Sequence, residues 1–252
     1  MAPRCSVSDK QVLWSISVVE INKHIVPFLE EGFPEYSGIL VFQDNNCITG
    51  LCDKTLKLIE KSGDSGADSV ATPLAYVNYH THPKDCYIAE EVKYGWPSGE
   101  DCGVCLEFAS KKNLAHLVFA VEGTYVIKCL TIPLKNTWFF IEEVLKLTHK
   151  LRSDLPDKEM VMEFNKELLT PLGIYRHYSN ALEQWLYFVN ILTPNMAKFL
   201  CDLYKLPKTK KDKKNVKNMT PAGNDRIFEV KFVKAGRDIT FLQGHINSEC
   251  KL

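Results

Sequence analysis

Val77-Asn78-Tyr79-His80-Thr81-His82-Pro83 is the stretch on which the reading of this chain turns. It reads as a strand, and the proline that closes it marks a turn. On a strand, residues two apart point to the same face, so the imidazoles of His80 and His82 project together and can bind one metal ion. A catalytic zinc takes three protein ligands and keeps a fourth position open for water. The third ligand must come from another part of the chain. Pro97-Ser98-Gly99-Glu100-Asp101 opens a predicted helix that runs to about Lys112, and Asp101 in its first turn is the candidate. Glu35 lies far upstream, between Pro34 and the apolar run Gly38-Ile39-Leu40-Val41-Phe42. It is the candidate general base, the group that takes a proton from water.

Each of these residues also has a plainer reading. The two histidines suit a partly exposed strand end, and Glu35 suits a solvated turn. Ser98 and Asp101 match a helix N-cap and an acid in the first turn. That last reading is compatible with the functional one, because a helix start beside the histidine strand would aim a carboxylate at the metal and leave a hydroxyl nearby. The joint arrangement carries the inference, and no pair alone does. Cys102 and Cys105 form a Cys-x-x-Cys pair, but a second ligand pair is missing and both fall within the predicted helix. Cys86 and Glu90 or Glu91, in the gap between His82 and Ser98, are read as accidental metal binders, and Trp96 as packing rather than recognition.

The chain has 252 residues, room for one substantial domain or a domain with an extension. With 45% hydrophobic and 25% charged residues it has the composition of a soluble globular protein. Lys plus Arg and Asp plus Glu number 31 each, so net charge points to neither a nucleic-acid nor a membrane partner. Lys205, Lys208, Lys210, Lys211, Lys213, Lys214 and Lys217 crowd one stretch. That stretch is read as a solvated linker, with an acidic partner such as nucleic acid or a localisation signal as the other reading. Nine cysteines follow no regular framework, and the N-terminus lacks the cationic and apolar regions of a secretory leader. Reduced thiols in the cytoplasm or nucleus are expected. No run of about 18 apolar residues is present to span a membrane.

Helical spacing over about 18–31 places Val19, Ile21, Ile25, Phe28 and Leu29 on one stripe, ended by Gly32-Phe33-Pro34. A strand over Gly38–Phe42 is followed by a turn at Asp44-Asn45-Asn46 and a returning strand from Cys47 to Leu51. Ser62–Ser69 reads as a flexible loop, Leu74–Tyr79 as the histidine strand, and Leu117–Val121 with Tyr125–Leu130 as a hairpin around Gly123. Helical patterns follow at about 138–151, 157–169 and 180–204. Ile227–Val233 and Asp238–Leu242 alternate like a terminal hairpin. The expected fold is mixed α/β, of the α+β kind. It divides into a core over 1–136, a helical extension over 137–204, a lysine-rich linker over 205–224 and a hairpin segment over 225–252.

Over roughly residues 18–130 the pattern resembles the JAMM/MPN zinc metalloproteases, as a divergent member. The likeness rests on Phe33-Pro34-Glu35-Tyr36-Ser37-Gly38-Ile39-Leu40, His80-Thr81-His82-Pro83, Pro97-Ser98-Gly99-Glu100-Asp101, and the strand from Leu117 to Tyr125 with its glycine. It implies an MPN-like mixed sheet flanked by helices. It implies one Zn2+ per chain held by His80, His82 and Asp101, with Glu35 as general acid/base and Ser98 stabilising the oxyanion. Its activity would be isopeptidase or peptidase action on ubiquitin or ubiquitin-like conjugates. The family also includes non-catalytic scaffolds that typically lack one or more ligands, whereas all five positions are filled here. Residues 137–252 suit docking onto a larger assembly. The chain departs from the family in its longer spacing, fifteen positions from Pro83 to Pro97, which could form a flap over the cleft or obstruct it. Two other His-x-His metallohydrolases fit less well. A metallo-β-lactamase site wants an acid and a histidine where Lys84 and Asp85 stand, and a TIM-barrel amidohydrolase needs a βα periodicity that is not found.

Overall fold

A computed structural model describes residues 11–48, 51–61, 70–89, 92–132, 138, 141, 181–195, 197–198 and 226–242. The strands are β1 (Gln11–Ile16), β2 (Ser37–Ile48), β3 (Leu51–Lys61), β4 (Val77–His82), β5 (Ala115–Ala120), β6 (Gly123–Cys129), β7 (Phe228–Lys234) and β8 (Ile239–Leu242). The helices are α1 (Val18–His24), α2 (Lys84–Ala89), α3 (Gly99–Ala109) and α4 (Ala181–Ile191). The fold is mixed α/β, built on one large mixed sheet in the order β7-β6-β5-β4-β2-β3-β1-β8. Pairing is parallel for β4 with β5 and for β1 with β3, and antiparallel elsewhere.

β4 and β5 are buried along their whole length and β6 along nearly all of it, which is why they read as near-continuous apolar runs. Alternation then sorts their side chains onto two faces. Val77, Tyr79, Leu117, Phe119 and Val126 join Ile21, Ile25 and Leu29 from the α1 region and Trp14, Ile16, Ile239 and Phe241 from β1 and β8. Val118, Ala120, Tyr125 and Ile127 join Trp96, Cys102, Cys105 and Leu106 of the α3 region and Trp185 and Val189 of α4. Strands at one end of the sheet thus share a core with its middle, and the sheet is nearly barrel-like. Lys128 reaches from β6 to the Leu242 carbonyl of β8 at 3.2 Å and pairs with Glu229 at 3.0 Å. The exposed edge of β7 is satisfied by Asn190 of α4, whose side chain accepts from Val230 N at 2.6 Å and donates to Val230 O at 2.9 Å. Among the described residues no helix is long and apolar enough to cross a membrane.

Several boundaries differ from the sequence reading. The first helix stops at His24 and passes into a 3-10 turn at Val26–Phe28, because Pro27 has no N–H with which to continue the α-helical ladder. Ile21, Ile25 and Leu29 are buried, but Val19 is 66% exposed. Asp44-Asn45-Asn46 is not the turn: β2 runs through it with a register shift between Asp44 and Cys47, and the ladder continues to Ile48↔Leu51. β1 was not anticipated at all. The two C-terminal strands exist, but their ladders run to β6 and β1 rather than to each other as in a hairpin. Strands from both ends of the chain therefore belong to one sheet. The Ser62–Ser69 loop, most of the helical pattern at 138–151, all of that at 157–169, and the lysine-rich stretch lie outside the described residues.

α4 is tied into the core by its tryptophan. Trp185 is fully buried, stacks on Trp96 with ring centroids 5.7 Å apart, and meets Tyr125 edge-on at 6.0 Å. Trp185→Ala is expected to destabilise the protein by about 3–5 kcal/mol, the usual cost of deleting a large buried ring. Chemical denaturation measures it, and a loss below about 1 kcal/mol would contradict the shared core.

Candidate metal centre

The centre is assembled by strand register. Ser37 pairs with His80 and Gly38 with Tyr79, and Thr81 N donates to Tyr36 O at 2.9 Å while Tyr36 N donates to Thr81 Oγ1 at 2.9 Å. Continuing that antiparallel run puts Glu35 across from His82, and residues opposite one another share a face. Asn78, His80 and His82 lie on the face that carries Trp96 and α3. The third element is the start of α3, where Ser98 caps the helix. Ser98 Oγ accepts from Asp101 N at 3.2 Å, and Asp101 Oδ2 accepts from Ser98 N at 2.6 Å, a reciprocal capping box.

Four of the expected residues face one another directly. His80 Nε2 lies 2.9 Å from His82 Nε2 and 3.4 Å from Asp101 Oδ1, and His82 Nε2 lies 3.8 Å from Asp101 Oδ2. Glu35 Oε1 stands 3.7 Å from His82 Nε2. Ser98, the fifth, donates its hydroxyl hydrogen to Asp101 Oδ2 at 3.0 Å. Both histidines, Glu35 and Ser98 are buried, and Asp101 is partly so. The ligand atoms of His80, His82 and Asp101 all lie within 4.8 Å of one another, so this group could hold a metal ion. Two atoms each about 2.0–2.1 Å from one ion are at most about 4.2 Å apart, a reach that covers the 2.9 Å between the two imidazole nitrogens and the 3.4 Å from His80 Nε2 to Asp101 Oδ1.

The capping reading and the ligand reading of Ser98 and Asp101 are both satisfied. Oδ2 is held by the Ser98 amide and hydroxyl, which leaves Oδ1 as the oxygen nearer His80. The long insert supplies part of the wall. α2 runs alongside, with Lys84 N bonded to Leu29 O at 3.0 Å and Asp85 Oδ2 accepting from Gly32 N at 3.1 Å. Beyond α2, the Gly95 carbonyl lies 2.7 Å from His82 Nδ1. Glu90 and Glu91 lie outside the described residues.

Two residues near the centre take parts that the sequence did not assign them. Cys86 of α2 is buried and donates its thiol to Glu35 Oε1 at 3.3 Å. His116 of β5 is buried behind His80, with Nε2 2.8 Å from His80 Nδ1. Burial and the neighbouring His80 push its pKa down to about 3, so it is a neutral imidazole. Its only sequence signal was a histidine interrupting the apolar run Leu114–Val121. Cys102 and Cys105 are buried in the core, and desolvation pushes both thiols far up, which suits packing and not thiolate chemistry.

No family model, curated protein or solved structure matches this chain.

Ser98→Ala removes the cap acceptor for Asp101 N and is expected to cost about 1 kcal/mol of stability, measured by denaturant unfolding. A variant as stable as the parent would contradict the capping geometry.

Proposed function

We propose that this chain is a zinc-dependent hydrolase of the JAMM/MPN type. In this reading it is an isopeptidase or peptidase that releases ubiquitin or a ubiquitin-like modifier. The observation that carries the proposal is the meeting of two imidazole nitrogens and a carboxylate with a buried glutamate 3.7 Å from one of the rings. Two histidines and one carboxylate suit zinc with an open position. The MPN-like form of the fold belongs to the same proposal. It is supported by the strand just after Glu35 pairing with the histidine strand and by the serine/aspartate helix start beside them.

His80, His82 and Asp101 would hold the ion, which when bound lowers the pKa of water to about 7 and so supplies a nucleophile at neutral pH. The Glu35 carboxylate accepts the proton released during attack on the carbonyl and returns it to the departing amine. The Cys86 thiol at its Oε1 and its low exposure, 7%, hold this base in place and away from bulk water. Ser98 donates to Asp101 Oδ2 at rest. To meet a developing oxyanion its hydroxyl turns that hydrogen toward the substrate, while Asp101 keeps the Ser98 amide at 2.6 Å. Loss of one such donor costs on the order of 3 kcal/mol in other hydrolases. A lysine amine is the proposed leaving group. The chemistry serves a peptide bond equally, so the choice of a ubiquitin-type substrate rests on the sequence resemblance.

Purified protein should carry about one zinc per chain on metal analysis, as one three-ligand site requires. His82→Ala should lose it. Glu35→Gln should keep the zinc but slow cleavage of a panel of ubiquitin-type conjugates by about 100-fold or more. Zinc-loaded parent protein that cleaves none of the panel would favour a non-catalytic scaffold, and a fully active Glu35→Gln variant would remove the glutamate from its role.

A further inference from the structure

We infer that His116 and Asn78 are positioning residues that fix the tautomer of His80, so that its Nε2 lone pair is the one offered to the metal. The inference rests on the metal-site reading above and adds to it a buried relay running Pro73, Asn78, His116, His80. The hydrogens on the outer ring nitrogens are assigned from their hydrogen-bond partners.

The relay starts at a carbonyl. Asn78 Nδ2 donates to Pro73 O at 2.8 Å, so the other end of the amide, Oδ1, is the acceptor. Asn113 Nδ2 donates to that oxygen at 3.1 Å and to Ala75 O at 2.8 Å, which confirms the orientation. His116 Nδ1 lies 2.9 Å from Asn78 Oδ1, and an amide oxygen cannot donate. His116 therefore carries its hydrogen on Nδ1 and presents a bare Nε2. That Nε2 is 2.8 Å from His80 Nδ1, so His80 supplies the hydrogen from Nδ1. In the neutral ring the remaining His80 nitrogen, Nε2, is then a lone pair facing Asp101 Oδ1 at 3.4 Å.

His82 reaches the same state by a shorter route. Its Nδ1 is 2.7 Å from Gly95 O, which can only accept, so His82 Nε2 also presents a lone pair. Two lone pairs 2.9 Å apart, with a carboxylate beside them, repel one another unless a cation lies between. The relay thus builds a cation site from neutral side chains. The parallel register makes this possible, since Asn78 is paired with His116 and the next residue on the same face of β4 is His80. The backing rings lie nearly parallel, with His80 and His116 centroids 4.9 Å apart at 26°.

The test uses the full chain with zinc as the probe. His116→Leu removes the acceptor from behind His80, and His116→Gln keeps an acceptor near the position of Nε2. Zinc affinity by calorimetric titration should fall about 10- to 100-fold in His116→Leu and return to within a few-fold of the parent in His116→Gln. Nitrogen-15 spectra of the metal-free parent at about pH 8, above the ordinary imidazole range, should show His80 protonated on Nδ1. The zinc-loaded parent should show coordination through Nε2. Unchanged affinity in His116→Leu, or His80 protonated on Nε2 in the parent, overturns the inference. Should His116→Leu fail to fold, the parent spectra decide. A parent that binds no zinc removes the functional reading, and the metal-free spectrum still decides the relay.

Discussion

The site depends on one short antiparallel contact, the start of β2 against the end of β4. Two backbone-directed bonds between Tyr36 and Thr81 and the pairing of Ser37 with His80 fix where Glu35 stands relative to His82. A slip of one residue would turn Glu35 to the opposite face and dismantle the arrangement. The register is protected from both sides. On the β3 side, Gly38 lies so close to the neighbouring strand that a Cβ there would sit 1.9 Å from Glu60 O. On the β5 side, β4 runs in unbroken parallel pairing from Val77↔Ala115 to His82↔Ala120. Apolar clusters on both faces hold the central strands in place, so the polar centre is a largely buried enclave beside a packed core.

A buried enclave of polar side chains is costly unless each group has a partner. Here the obligations are met in chains that also orient the reactive groups. The capping box holds Asp101 Oδ2 and so turns Oδ1 toward His80. The Gly95 carbonyl from the insert and His116 from β5 hold the outer nitrogens of the two ligand histidines. Cys86 does the same for Glu35. The stability of the fold and the readiness of the site therefore draw on the same bonds.

Much of this was legible in the sequence because its signals are local. The His-x-His alternation, the Ser98 cap with Asp101 three residues on, and the β5–β6 hairpin each follow from near neighbours, and all are present. What was missed depends on distant partners. β1 is a six-residue strand whose ladder partners among the described residues are β3, further along the chain, and β8, at its far end. Asp44-Asn45-Asn46 carries turn chemistry, but long pairing with β3 absorbs it as an irregularity within β2. Pro27 was overlooked beside the stronger breaker at Pro34, and it shortened the first helix. His116 gave no pattern of its own, because its place behind His80 comes from a parallel pairing that no spacing rule reveals. The family likeness is a reading of motifs and stands as a proposal.

The account stands on two imidazoles and one carboxylate sharing an ion. X-ray absorption at the zinc edge of the loaded parent protein measures that most directly. The account predicts a first shell of nitrogen and oxygen only, at about 2.0–2.1 Å, with the scattering signature of two imidazoles. A shell containing sulfur at about 2.3 Å would place the metal on cysteines such as Cys102 and Cys105 instead, and would contradict it.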